Sequence, residues 1–238
     1  MRNTKIFVNL LVLFLSQLLV AQVNAATITG TIKYDGEVPK FKEIKMDADP
    51  ICLTHHTSAV YPETLVVGDG NTMANVFVYV KSGLSKKDYP APADAVVLEQ
   101  KGCQYLPHVL GVMVGQKLKI TNPDGTLHNV HALSKVNQEF NLAMPKFRTE
   151  TEKVFDKEEA IFPIKCDVHP WMGGYVAVMS HPFFSTSKLD GKFTISNLEA
   201  GTYEVEAWHE KMGTKTQSVT VDADETKTID FTFSHEAK

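Results

Sequence analysis

Cys166-Asp167-Val168-His169-Pro170-Trp171-Met172 places a thiol, an imidazole and a thioether at every third position of one short segment. Tyr175-Val-Ala-Val-Met179 follows with strand-like alternation, so the segment reads as a loop that leaves one strand and enters another. Gly173 and Gly174 give the backbone freedom a tight exit needs. Upstream, Asn122-Pro-Asp-Gly-Thr-Leu-His128-Asn129-Val-His131 supplies a turn and then further imidazoles. One thiolate, two imidazoles and a weak axial thioether are the donors of a blue-copper electron-transfer site, a set more informative than any single ligand.

On this reading Cys166 is the equatorial thiolate, His128 and His169 the equatorial imidazoles, and Met172 the axial ligand, holding one mononuclear copper per chain. Each has a plainer alternative: Cys166 as a buried or disulfide cysteine, His128 and His169 as ordinary loop histidines, Met172 as core. His131 lies three residues from His128, and in an extended chain the two face opposite sides, so His131 is expected to point away from the metal. Asn129 is expected to tie the His128 segment to the Cys166 loop, and Pro170 to stiffen the backbone beside His169.

Residues 1–25 read as a cleavable export signal. Arg2 and Lys5 precede the apolar run Ile6–Val20, and Val23-Asn24-Ala25 is a small-residue cleavage site. The run is short and interrupted by Asn9, Ser16 and Gln17, which argues against a membrane span, so no membrane insertion is expected after cleavage. A periplasmic or secreted location follows. The formal charge of −4 becomes −6 when Arg2 and Lys5 leave with the signal, and no basic run remains to neutralise phosphates, so nucleic acid is not expected as a partner. Three cysteines in an oxidising compartment suggest a Cys52–Cys103 disulfide with Cys166 otherwise occupied. The alternative for Cys52 is a second metal site with His55 and His56, joined by Met46. A packed histidine is expected at His108, and His181 and His209 are expected where modules meet.

Period-two alternation dominates, at Thr27–Tyr34, Asn75–Val80, Val112–Ile120, Ala177–Met179, Lys192–Ile195, Tyr203–Trp208, Gln217–Val221 and Thr228–Phe233. Turn pairs such as Asp35-Gly36, Asp124-Gly125 and Asp190-Gly191 separate these runs. The predicted class is all-β, built from sandwiches, with room for one short helix around Ser85–Tyr89.

Two resemblances sharpen this. Residues 95–182 resemble a small cupredoxin of the amicyanin-like type, through Val114-Gly115, Asn122, His128-Asn129-Val130-His131 and Cys166-x-x-His169-Pro170-x-Met172-x-Gly174. The resemblance implies a Greek-key β-sandwich and a non-enzymatic, single-electron carrier. It also implies that electrons leave through an exposed His169 edge, beside an apolar docking patch of Trp171, Met144, Pro145 and Pro170. The partners implied are redox proteins, a cytochrome or a dehydrogenase or oxidase. The tail, Leu189-Asp-Gly-Lys-Phe-Thr-Ile through Tyr203-Glu-Val-Glu-Ala207, looks like the second half of a carboxypeptidase-regulatory-like (transthyretin-like) β-sandwich. Ile28–Tyr34 and Val76–Val80 suit its first half. The expected organisation is therefore residues 26–84 and 184–238 as two parts of that sandwich, with the cupredoxin-like unit inserted between them or packed beside it. Competing functions are a copper chaperone or store, and a copper-free binding or scaffold module. One four-ligand copper leaves no open position for a substrate, so an enzyme is not expected.

Overall fold

The computed structural model describes residues 25–85 and 88–234; the signal expected over residues 1–25 lies outside the described residues but for Ala25. In chain order the elements are β1 (Ala26–Tyr34), α1 (Pro50–Thr54), β2 (Phe77–Ser82), β3 (Val96–Lys101), β4 (Gln104–Leu106), β5 (Val109–Met113), β6 (Lys117–Thr121), β7 (His128–Ala132), β8 (Phe140–Met144) and β9 (Glu150–Val154). They continue with β10 (Glu159–Lys165), β11 (Gly173–Met179), β12 (Phe184–Thr186), β13 (Lys192–Leu198), β14 (Gly201–His209), β15 (Gly213–Val221), β16 (Thr226–Thr228) and β17 (Phe231–Phe233).

Strands from both ends of the chain share two sheets. One runs β13-β1-β16, with β17 also on β1, and the other runs β12-β2-β14-β15. Their facing sides bury Ile28, Ile32, Val78, Phe193, Val205 and Phe231 in one core. The alternation in β1 explains its place, since every second side chain of Ala26–Tyr34 is buried. Residues 96–179 build two further sheets, β5-β11-β10-β7-β8 and β4-β3-β6-β9. Leu98, Tyr105, Leu118, Ile120, Phe162 and Val176 fill the space between them.

The two sandwiches meet at a small apolar seam of Phe77, Val109, Ala177 and Met179. Gly111 of β5 allows that approach. A Cβ there would stand 2.5 Å from the Phe184 ring and 2.7 Å from Phe77, closer than atoms pack.

Three local expectations are corrected. Val112–Ile120 is not one strand: Gly115 at φ 78° turns the chain, so β5 pairs with β11 while β6 pairs with β3 in the opposite sheet. Thr228–Phe233 is likewise two short strands, β16 and β17, that pair with successive stretches of β1. No helix occurs among the described residues of Ser85–Tyr89; the α-helix is α1, where Asp49 caps Ile51 N and Pro50 opens the first turn.

Candidate metal centre

The loop Cys166–Met172 joins β10 to β11, whose facing residues Lys165 and Gly173 pair directly. Two backbone bonds tighten it: Cys166 N donates to Met172 O (3.1 Å) and Met172 N to His169 O (2.9 Å). Strand β7 pairs with β10 antiparallel through Lys165↔His131, so the start of β7, His128, lies alongside the loop. Before it, Asn122 Nδ2 donates to Thr126 O (2.9 Å) and Met144 O (2.7 Å), fixing the turn that returns the chain.

The result is a closed cluster. His128 Nδ1 and His169 Nδ1 stand 3.0 Å apart, and His169 Nδ1 lies 3.8 Å from Cys166 Sγ. His128, Cys166 and His169 are all buried, and one donor atom from each lies within 4.8 Å of the others, a group able to hold a metal ion. Met172 is buried in the same apolar core as Cys166.

Carboxylates fix the far side of both rings. His128 Nε2 is 2.9 Å from Asp124 Oδ2, and His169 Nε2 is 3.1 Å from Asp49 Oδ2. A neutral imidazole donating its Nε2 proton to a carboxylate keeps its Nδ1 lone pair free, so both Nδ1 atoms turn their acceptor face toward Cys166. Asp124 is itself anchored by Gly102 N (2.8 Å) and Cys103 N (2.7 Å). Burial would raise its carboxyl, but the hydrogen bonds from His128 and these two amides outweigh it and hold it below the ordinary value. Burial also pushes the Cys166 thiol up. Its hydrogen bonding with His128 and nearby backbone wins, and the thiol lies below its ordinary range, toward the thiolate a metal needs.

Asn129 crosses the site as a bracket. Its Oδ1 accepts from the Cys166 thiol (3.2 Å) and from Asp167 N (2.8 Å), while its Nδ2 donates to Asn141 Oδ1 (2.7 Å) and Asp167 Oδ2 (3.1 Å). His131 stands outside the cluster, with Nδ1 3.0 Å from Asp167 Oδ2 and Nε2 3.0 Å from Glu139 Oε1. Pro170 is exposed on the loop.

Cys52 and Cys103 form a disulfide, and Cys166 is the free cysteine of the chain. The disulfide is the pairing expected, and it removes the alternative metal site of Cys52, His55 and His56. His55 Nε2 instead contacts Asp124 O (3.2 Å) and His56 Nε2 contacts Gly102 O (2.7 Å). His108, expected as a packed histidine, is buried, and its Nε2 lies within hydrogen-bond distance of Glu210 Oε1 (2.7 Å).

The docking expectations need correction as well. His169 shows no exposed edge: it is 2% exposed, because Asp49 covers Nε2 and the Trp171 ring stands 5.1 Å away. Trp171 is half-buried and donates Nε1–H to Cys103 O (3.2 Å), and Pro145 is half-buried. Met144 is fully buried, since its place opposite His128 on β8 turns its side chain inward, where its sulfur accepts from Gln100 Nε2 (3.0 Å). The exposed apolar side chains beside the ligand segments are Leu127, Phe147 and Val168.

Asp49 and Asp124 are the site residues that sequence reasoning missed. Asp124 was visible only as half of a turn signal, and Asp49 carried no signal of its own in the sequence.

With the geometry in view, comparison with known proteins adds two findings. The family model of the carboxypeptidase regulatory-like domain matches residues 176–234, which span the end of β11 and β12 to β17. The structural neighbours are cupredoxin-like. A methionine-to-alanine variant of amicyanin in its Cu(I) form is 26% identical over 43% of this chain and 98% of its own, with a TM-score of 0.32. The purple cupredoxin from Nitrosopumilus maritimus is 24% identical over 37% of this chain and all of its own length, with a TM-score of 0.30. The Cu-containing nitrite reductase from Thermus scotoductus is 17% identical over 41% of this chain, with a TM-score of 0.34. This chain spans only 25% of that reductase. No curated protein matches the chain closely enough to count as a relative. No helix among the described residues is long and apolar enough to cross a membrane.

Proposed function

We propose that this chain is an exported copper protein that binds one copper ion at His128, Cys166 and His169, with Met172 as a weak fourth ligand, and carries single electrons between redox partners. The observation that supports it most is the convergence of two imidazole Nδ1 atoms and a lowered thiol in one buried cluster, each ring held from behind by a carboxylate. Thiolate and imidazole suit copper or zinc, and the buried thioether on the same short loop tips the donor set toward copper.

A bound copper ion supplies the one-electron couple. The protein's part is to change little during transfer. Asp124 and Asp49 hold the two rings, Asn129 holds the Cys166 loop to β7, and the backbone bonds across Cys166–Met172 fix the spacing of sulfur and imidazole. Burial of all three donors excludes water. The partner, a cytochrome or a dehydrogenase or oxidase, docks over Leu127, Phe147 and Val168, the exposed apolar side chains that flank the ligand segments. The role is electron carriage and not catalysis, since four protein ligands leave no open coordination position.

Absorption and paramagnetic-resonance spectra of the mature chain loaded with Cu(II) test this reading. An intense thiolate-to-copper band in the visible is expected, lost in Cys166→Ser with the far-ultraviolet circular dichroism unchanged. A colourless protein after exposure to cupric salt would overturn it.

A further inference from the structure

The disulfide sits at the metal cluster, not at its edge. Donor atoms of Cys52, Cys103 and His169 lie within 4.8 Å of one another, and the same holds for Cys103, Asp124 and His128. Both sulfurs therefore border the His169 imidazole, and the Cys103 sulfur borders His128 as well. All of these residues are buried.

The segment that carries Cys52 is already fastened without the disulfide. Asp49 accepts from Thr126 Oγ1 (2.8 Å) and meets His169 (3.1 Å), His55 meets Asp124 O (3.2 Å), and His56 meets Gly102 O (2.7 Å). A cross-link needed only to staple this segment has no reason to lie against His169. Access does not require global unfolding. Helix α1 has five residues, with Ile51 and Leu53 exposed, so few apolar contacts resist its local opening.

We propose that Cys52 and Cys103, when reduced, form with His169 a second, dithiolate site for a soft monovalent metal, Cu(I), beside the first. The donor set differs from Cys52 with His55 and His56, whose rings are engaged elsewhere. A dithiol is the reductant. Its two electrons and two protons break the S–S bond and leave two thiols on this chain and a disulfide on the donor. Metal binding then displaces the two thiol protons to solvent and, when both sites are filled, the His169 Nε2 proton as well, so that the ring bridges the two ions as an imidazolate. Thiolates favour Cu(I), and His169, common to both donor sets, makes the new site a neighbour through which the ion reaches His128 and Cys166. The proposal rests on the copper reading above only in sharing His169.

The test counts Cu(I) on the full mature chain without oxygen. The ion is delivered as its acetonitrile complex in competition with bicinchoninate, before and after reduction by a phosphine that is then removed. One equivalent is expected on the oxidised chain and two on the reduced chain. Reduced Cys166→Ser should keep one. The double variant Cys52→Ser with Cys103→Ser should bind one in either condition. Maleimide footprinting of the reduced, doubly loaded wild type needs no variant to fold, and should find Cys52 and Cys103 protected. A reduced chain that binds no more than the oxidised one overturns the proposal, as does alkylation of Cys52 and Cys103 in the loaded protein. An oxidised chain that binds none, with one protected equivalent after reduction, would sink the electron-carrier reading and leave this site standing.

Discussion

Residues 96–179 bury ten polar or charged side chains, among them Asp124, His128, Asn129 and His169, whereas the described residues of the sandwich shared by the two ends of the chain bury four. In the terminal sandwich such a group is settled where it stands. Glu206, for example, accepts from Tyr79, Lys81 and Thr216 on its own sheet. In the central sandwich Asn122, Asp124, His128, Asn129 and His169 converge around the Cys166 loop, across strands far apart in sequence. A buried polar group costs free energy unless it is paired, so convergence on this scale marks the place where the fold is built for chemistry instead of cohesion. The terminal sandwich is support.

The largest expected effect breaks that support alone. Phe231 is 1% exposed between β1 and the opposing sheet. Phe231→Ala should cost about 3–5 kcal/mol in urea unfolding by removing buried area and leaving a void. At temperatures where the variant remains folded, its metal stoichiometry should match the wild type. Loss of metal binding in the folded variant would show that the two sandwiches are one functional unit.

Asp124→Asn is next, and it should strike the other region. The carboxylate accepts from Gly102 N, Cys103 N and His128 Nε2, and an amide turns one of its two acceptor atoms into a donor facing N–H groups. A loss of roughly 1–3 kcal/mol of stability is expected. Metal affinity measured by competition should fall about 10–100-fold, the usual cost of losing a carboxylate that orients a ligating histidine. An unchanged affinity would mean that the carboxylate only supports the turn.

That pair of aspartates marks the limit of what the sequence disclosed. The loop Cys166–Met172 was readable because its donors are local, fixed by spacing within one connection. Asp49 reaches His169 from 120 residues away, and no local pattern reports a contact created by the packing of α1 over the loop. The burial of Met144 was hidden for a related reason. The resemblance placed it in an apolar docking patch, but the pairing of β8 with β7 decides which side faces in. Strand β9, Glu-Thr-Glu-Lys-Val, alternates with hardly any apolar side chains, so periodicity could not reveal it. The break between β5 and β6 was masked because apolar alternation runs through Gly115. The class of fold came through because β1 buries one face of a clean alternation, as does the first half of β13, a signal that needs no partner to be seen.

Glu159 separates buried polarity from metal chemistry within the central sandwich. It is 6% exposed and accepts from Ser134 Oγ (2.5 Å), Lys135 N (2.6 Å), Asn137 N (3.0 Å) and Val136 N (3.1 Å). Burial alone would raise its carboxyl, but these bonds outweigh it and hold the group down at about 2, from an ordinary 4.5. A carboxyl depressed on folding stabilises fully above the unfolded value and loses that contribution as pH falls through the folded one. Stability should therefore decline between about pH 4.5 and pH 2. Glu159→Gln should flatten that part of the profile and cost roughly 1–2 kcal/mol at neutral pH. Its metal stoichiometry should not change. A shift in metal binding would show that the polar network is continuous across the sandwich.

His131 carries the smallest expected effect and the sharpest contrast, since it shares β7 with His128. The pleat gives the two rings different surroundings. His128 is closed in against Asp124, His169 and Cys166, while His131 keeps 19% of its side chain exposed and pairs with Glu139 and Asp167. Contacts this close to solvent contribute little, so His131→Ala should cost less than about 1 kcal/mol. The visible spectrum of the copper-loaded variant should keep its band position, because Asn129 Oδ1 still brackets the Cys166 loop through its bond from Asp167 N. A displaced band would mean that the Asp167 contact with His131 helps to aim the thiolate, and the boundary between metal site and surface would move outward by one residue.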